Sequence, residues 1–137
     1  MEDTLQETDS PVRSAGAQAE WAAQVAPALG DLLLEHRGGE VTVLDIREQN
    51  SWTDFFIIAT VTSSTHLDGL ERHIKEFCDE RELQILRRSR KPAGQEEEWR
   101  IIDLGPIVIH LMTGRARSFY ELERLHCMRR VHTSYVP

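Results

Sequence analysis

Apolar residues recur along this chain with two different periods, and the switches between them lay out the elements. Leu29, Leu32, Leu33 and His36 fall at i, i+3, i+4 and i+7, one face of a helix, with Gly38-Gly39 as its stop. Ala-rich residues 17–26 precede it. Pro27 is expected to bound that stretch and open a new helix, because an interior proline removes a donor and clashes with the preceding turn. VTVLDI (41–46) is short and β-branched, a strand. FFIIATV (55–61) is apolar at consecutive positions and predicts a central strand covered on both faces. Ser63 or Ser64 then caps a helix on which Leu67, Leu70, Ile74 and Phe77 share one side. Leu83 to Leu86 reads as a short strand. Residues 87–97, charged and broken by Pro92 and Gly94, read as an exposed loop.

The pattern changes character between Glu98 and Leu125. Two strand-like runs, Trp99–Leu104 and Ile107–Met112, meet at Gly105-Pro106, and a helix is expected over 114–126 with Phe119, Leu122 and Leu125 inward. Trp99, Asp103 and His110 interrupt the strands, while Tyr120, Glu121 and Glu123 crowd the helix. Alternation puts Trp99, Ile101 and Asp103 on one face of their strand and Arg100, Ile102 and Leu104 on the other. Two readings stay open. Trp99 is a favoured partner anchor, large and rigid with a polar tip, and Asp103 adds a polar contact beside it. Alternatively Trp99 is core and Asp103 closes the hairpin turn. Exposed acids on the helix suit a basic partner or simply a solvated face.

The order α-β-β-α-β-β-β-α, with no internal repeat, predicts one α/β domain: a mixed five-stranded sheet flanked by helices. A length of 137 residues suits one domain with a real core. Residues 1–16 are expected to be a disordered acidic leader, 17–126 the domain, and 127–137 a flexible tail. The net charge of −7 divides unevenly: residues 1–40 hold eight acids against Arg13 and Arg37, and the rest holds 15 acids against 14 bases. A nearly neutral domain lacks the broad basic face of a general nucleic-acid binder. Arg87, Arg88, Arg90 and Lys91 form a basic knot that can touch phosphate, or stay solvated beside Glu96–Glu98. No apolar run approaches the roughly 18–20 residues that span a bilayer, and no secretory or transit pattern opens the chain. Cys78 and Cys127 fit two reduced thiols.

Candidate chemistry is sparse. Asp45, Asp54 and Asp103 sit in or beside strands, but no DxD or DxE pattern and no glycine pair before a helix accompanies them, as phosphoryl transfer would require. The six histidines show no zinc spacing, and no Ser or Cys sits in a nucleophile elbow. Nothing in the residues calls for a metal or a cofactor.

Three blocks carry a resemblance: VLDIRE followed by S-x-TDFFIIAT-x-TSS-x-H, then W-x-IID-x-G-x-IVIHLM, then R-x-FYELERL. In this order, over about residues 29–126, they resemble the ribosomal silencing factor family (Iojap-like, RsfS). The resemblance implies a nucleotidyltransferase-like fold without that catalysis, and no cofactor. It implies binding to the large ribosomal subunit through the ribosomal protein conventionally numbered fourteen, on the face that meets the small subunit. Subunit joining is then blocked and translation falls when nutrients are scarce. A cytoplasmic location, a homodimer and little direct nucleic-acid contact are further expectations. Matched positions are Trp99, Asp103, Gly105 and His110 in the two-strand block, with Phe119, Tyr120, Leu122 and Glu123 in the helix. The partner-binding set is therefore expected to be Trp99, Ile101, Asp103, Gly105, His110, Tyr120 and Glu123. The chain departs from the family at Val61 (usually Gly), Pro106 (usually Asp) and His126 (usually Trp). The alternative is a residual nucleotide-binding protein of nucleotidyltransferase fold.

Overall fold

A computed structural model describes residues 17–48, 52–89, 97–121 and 129–133. Its helices are α1 (Ala17–Glu35), α2 (Ser64–Glu80) and α3 (Gly114–Tyr120). Its strands are β1 (Gly39–Asp45), β2 (Phe55–Val61), β3 (Arg87–Arg88), β4 (Trp99–Asp103), β5 (Ile107–Thr113) and β6 (Arg129–Thr133). They form one mixed sheet in the order β3-β4-β5-β2-β1-β6. The central strands β2 and β5 run parallel, Phe55 opposite Ile107 through Val61 opposite Thr113, and the other pairings are antiparallel. Parallel neighbours need a crossover, which α2 provides.

The period-two alternation of the strands builds two cores. Val41, Val43, Phe55, Ile57, Ala59, Ile102, Ile107, Ile109 and Leu111 face α1 and α2, meeting Leu29, Leu33, Leu67, Leu70 and Ile74. Leu44, Ile46, Phe56, Ile58, Val108 and Met112 face the other way and meet Ala116 of α3, with Trp99 and Ile101 against them. Buried on both sides, β2 and β5 read as unbroken apolar runs for this reason. Ser63 caps α2, its hydroxyl accepting from the His66 amide at 3.0 Å.

The α/β class and the mixed sheet hold, while several boundaries differ from expectation. Helix α1 runs through Pro27 without a break. The carbonyl that loses its partner belongs to Ala23, which is exposed and has water to bond, while the neighbouring Ala22 and Ala26 pack into the core. Residues 83–86 form no strand: the Leu83 amide bonds the Cys78 carbonyl at 2.8 Å and so closes α2. The short edge pairing falls instead on Arg87–Arg88, where a loop was expected, charged residues being suited to an exposed sheet edge. The tail expected to be loose supplies β6 on the opposite edge. Five strands therefore exceed two residues, but their membership is not the expected one.

Helix α3 is shorter than expected. Glu121 takes a left-handed conformation (φ 48°) and its amide bonds the Arg117 carbonyl at 2.8 Å. Its buried residues are Ala116 and Arg117, so Phe119 points away from the sheet at 78 % exposure. The stripe through Phe119 is the wrong face because the inward polar residue is an arginine. Leu122, Leu125, His126 and Cys127 lie outside the described residues.

Candidate partner-binding surface

The β4 strand is oriented by an arginine. Arg100, on the helix side of the sheet and 5 % exposed, donates to Glu97 through Nε (2.9 Å), to Asp68 through Nη1 (3.0 Å) and to Glu71. Arg88 pairs with Glu71 as well. The Glu97 hydrogen bond leads the effects that hold the Arg100 guanidinium above its ordinary pKa, against its burial. With Arg100 fastened to α2, alternation turns Trp99, Ile101 and Asp103 to the opposite face.

That face carries a strip of rings. Trp52 meets Phe56 (centroids 5.9 Å), Phe56 meets His110 edge-on (4.7 Å), and His110 meets Trp99 (5.8 Å). Trp99 then meets Tyr120 (4.6 Å), and Tyr120 meets Phe119 (5.0 Å). The strip crosses from the turn before β2, over β5 and β4, to α3. Its two ends are open, with Trp52 56 % and Tyr120 45 % exposed.

His110 is the polar centre of the strip. The Trp99 indole Nε1–H donates to His110 Nδ1 at 3.0 Å, so a neutral ring carries its proton on Nε2. Burial pushes the His110 pKa down to about 4, which keeps the ring neutral at pH 7. The Nε2 atom has no hydrogen-bond partner among the described residues.

Asp103 and Gly105 build the hairpin turn. Asp103 Oδ1 accepts from the Gly105 amide at 2.8 Å, and Oδ2 from Arg87 at 3.4 Å. Gly105 sits at φ +98°, a region side chains disfavour. Pro106, with no amide to place, instead supplies its carbonyl to the amides of Asp54 and Phe55. Val61 continues β2 as a buried strand residue opposite Thr113.

Of the expected set, Trp99, Ile101, His110 and Tyr120 thus come together on one face. Asp103 and Gly105 hold the turn at the end of that strand. Glu123 lies outside the described residues. Phe56 and Trp52 were missed, although register pairs Ile58 with His110 and so sets Phe56 on the same side, and Phe119, expected inward, is exposed at the end of the strip. Arg117 was missed too. From α3 its guanidinium reaches Thr60 Oγ1 (3.0 Å), Thr42 Oγ1 (3.0 Å) and the Gly39 carbonyl (3.4 Å), fastening the helix across β1 and β2.

Among the described residues Asp45 and Asp103 do not come together. Asp45 and Asp103 end strands that are separated by β5 and β2, roughly 14 Å at about 4.8 Å per strand. Asp45 receives Arg47 in a two-point pairing at 2.9 and 2.6 Å. Among the described residues no group of three His, Cys, Asp or Glu side chains is placed to hold a metal. Burial raises the Cys78 thiol to about 11, an unreactive form.

The fold and this surface define an α/β protein with an open mixed sheet and an aromatic strip across one face. The chain belongs to the ribosomal silencing factor family: the profile described as "Ribosomal silencing factor during starvation" matches residues 18–134. It is similar to the ribosomal silencing factor of Treponema pallidum, 36% identical over 100 residues, covering 73% of this chain and 87% of that protein. It is also similar to mouse "Mitochondrial assembly of ribosomal large subunit protein 1", 27% identical over 101 residues, 74% of this chain but only 44% of that longer protein. A crystal structure of a Chromobacterium violaceum protein shares the fold, with a TM-score of 0.67 at 23% identity, covering 82% of this chain and 92% of that one. Membership makes this protein a ribosome-associated regulator of translation. Among the described residues no helix is long and apolar enough to cross a membrane.

Proposed function

We propose that this protein binds the large ribosomal subunit through ribosomal protein fourteen and, seated there, sterically blocks joining of the small subunit. The contact surface is the ring strip, with Trp99, Ile101 and Tyr120 at its centre and open end. Translation is thereby lowered when nutrients are scarce. The observation that carries the reading is the family match over nearly the whole domain, residues 18–134. The mouse relative, named for large-subunit assembly, supports the choice of subunit. A blocking role needs only an affinity and a position, and aromatic side chains supply affinity when a partner covers them. A nearly neutral domain docks a basic ribosomal protein without competing for RNA phosphate, so direct nucleic-acid contact is small. The site of action is the cytoplasm.

The test is co-sedimentation of the full chain with purified large subunits, followed by a joining assay with small subunits. The protein is expected to pellet with large subunits and to lower the joined fraction in proportion to its occupancy. Free protein in the supernatant at subunit excess would overturn the binding. Pelleting with unimpaired joining would overturn the blocking. Equilibrium sedimentation of the protein alone decides whether it self-associates.

A further inference from the structure

A cavity of about 480 Å³ opens at the solvent end of the ring strip, where β4 meets α3. Trp99, Phe119, Tyr120, Glu98, Ile101 and Arg115 contribute to its wall. Three of these are aromatic, with planes tilted by 50° between Trp99 and Tyr120 and by 86° between Tyr120 and Phe119. Ring faces carry the negative part of the aromatic quadrupole, so differently turned faces around one volume attract a cation placed within it. Glu98 adds a formal negative charge to the wall. Its Oε1 accepts from Thr113 Oγ1 at 3.2 Å and lies 4.0 Å from Arg115 Nε. That contact with Arg115 is long, and the Arg115 side chain is 88% exposed, so it is a weak incumbent.

We propose that this cavity receives the guanidinium of an arginine on the protein partner, stacked on the rings of Trp99 and Tyr120 with Glu98 as counter-ion. The inference rests on the docking reading above and names the chemistry that the partner brings to it. A guanidinium suits the site better than an ammonium: it is flat, weakly hydrated and able to meet a carboxylate and a ring face together. Arg115, already largely in water, gives up only its long contact with Glu98 when the partner arrives. The two charged wall residues therefore act in opposite directions on binding.

Two experiments test this. The first measures co-sedimentation with large subunits for the wild type, Glu98→Gln, Arg115→Gln and Tyr120→Leu. Glu98→Gln and Tyr120→Leu are each expected to weaken binding about fivefold. Arg115→Gln is expected to bind as tightly as the wild type or more tightly. Reversed signs, with Glu98→Gln tighter and Arg115→Gln weaker, would mean that the cavity meets an RNA phosphate and would sink the proposal; so would wild-type binding by Glu98→Gln.

The second experiment needs no ribosome, so it separates the cavity's chemistry from the docking reading. A capped Gly-Ser-Arg-Ser-Gly peptide is titrated into the full chain, and the Trp99 indole N–H is followed by NMR after assignment with Trp99→Phe. The arginine peptide is expected to shift that signal. A citrulline peptide of the same shape, uncharged, should need at least about five times the concentration for the same shift. Equal shifts from arginine and citrulline overturn the cation site, and equal shifts from a lysine peptide overturn the choice of guanidinium.

Discussion

Acid should weaken this protein through His110 in a way that one substitution isolates. The ring lies among Phe56 and Trp99 and accepts the Trp99 indole proton at Nδ1. A second proton can enter only by displacing that bond and leaving a charge in an apolar setting. The folded value of about 4 lies below the ordinary 6.5, so between the two the unfolded chain takes the proton and the folded one does not. Stability from this source is therefore complete above about pH 6.5 and falls as pH drops toward 4. At about 1.4 kcal/mol per pH unit the full loss is roughly 3 kcal/mol, most of it gone by about pH 4.5. His110→Phe keeps a ring in place and removes the titration, at a pH-independent cost of about 1–3 kcal/mol for the indole N–H left without an acceptor. Urea unfolding followed by tryptophan fluorescence, for both proteins between about pH 7.5 and about pH 4.5, reads the difference. The wild-type advantage should shrink by roughly 2–3 kcal/mol over that range. A gap that stays constant within about 0.5 kcal/mol would refute the assignment of a buried neutral ring. Comparing two proteins cancels the acid sensitivity of the carboxylates around Arg100.

Other substitutions probe the supports of the surface. Arg100→Met takes its guanidinium from Glu97 and leaves Glu71 with Arg88 alone, and should cost about 3 kcal/mol, read as a lower urea midpoint. Gly105→Ala forces a side chain into φ +98° and should cost about 1–2 kcal/mol in the same assay, with ribosome binding reduced only as far as the hairpin moves. Trp99→Ala should lose both binding and about 3 kcal/mol of stability, because it opens the second core and removes the donor to His110. Phe119→Ser should leave the thermal midpoint within about 3 °C, its side chain being largely in water already.

Where periodicity and burial coincide, the sequence was legible. Leu67, Leu70, Ile74 and Phe77 were placed on one face of α2 and are buried there, and the apolar run at 55–61 is the doubly covered strand it resembled. Part of what was missed turns on arginine. Arg100 and Arg117 point into the protein, and single-sequence reasoning sends arginine to the surface unless it can see the partners. Arg117 took the inward side of α3 and so put Phe119 in water. Arg100 was in fact assigned to the correct face by alternation, but no spacing in the chain announces Asp68 and Glu71 as its acceptors. Strand β6 was lost because a sheet edge needs a neighbour more than it needs a pattern, and its neighbour β1 is far back in the chain. The candidate surface was half legible: Trp99, Ile101, His110 and Tyr120 came from alternation and resemblance, while Trp52, Phe56 and Glu98 became visible only through register and packing.

Strand β6 also sets an order of assembly during synthesis. It joins the free edge of β1, with Asp45 opposite Arg129, and follows every other described element in the chain. Until then β1 presents a row of unpaired amides and carbonyls while it already packs against α1 and β2. A nascent chain halted anywhere before Arg129 therefore carries an open template for strand pairing with its neighbours on a polysome. Pairing of β6 closes that edge, so the time taken to make the chain between Asp45 and Arg129 sets how long β1 stays open to strand pairing.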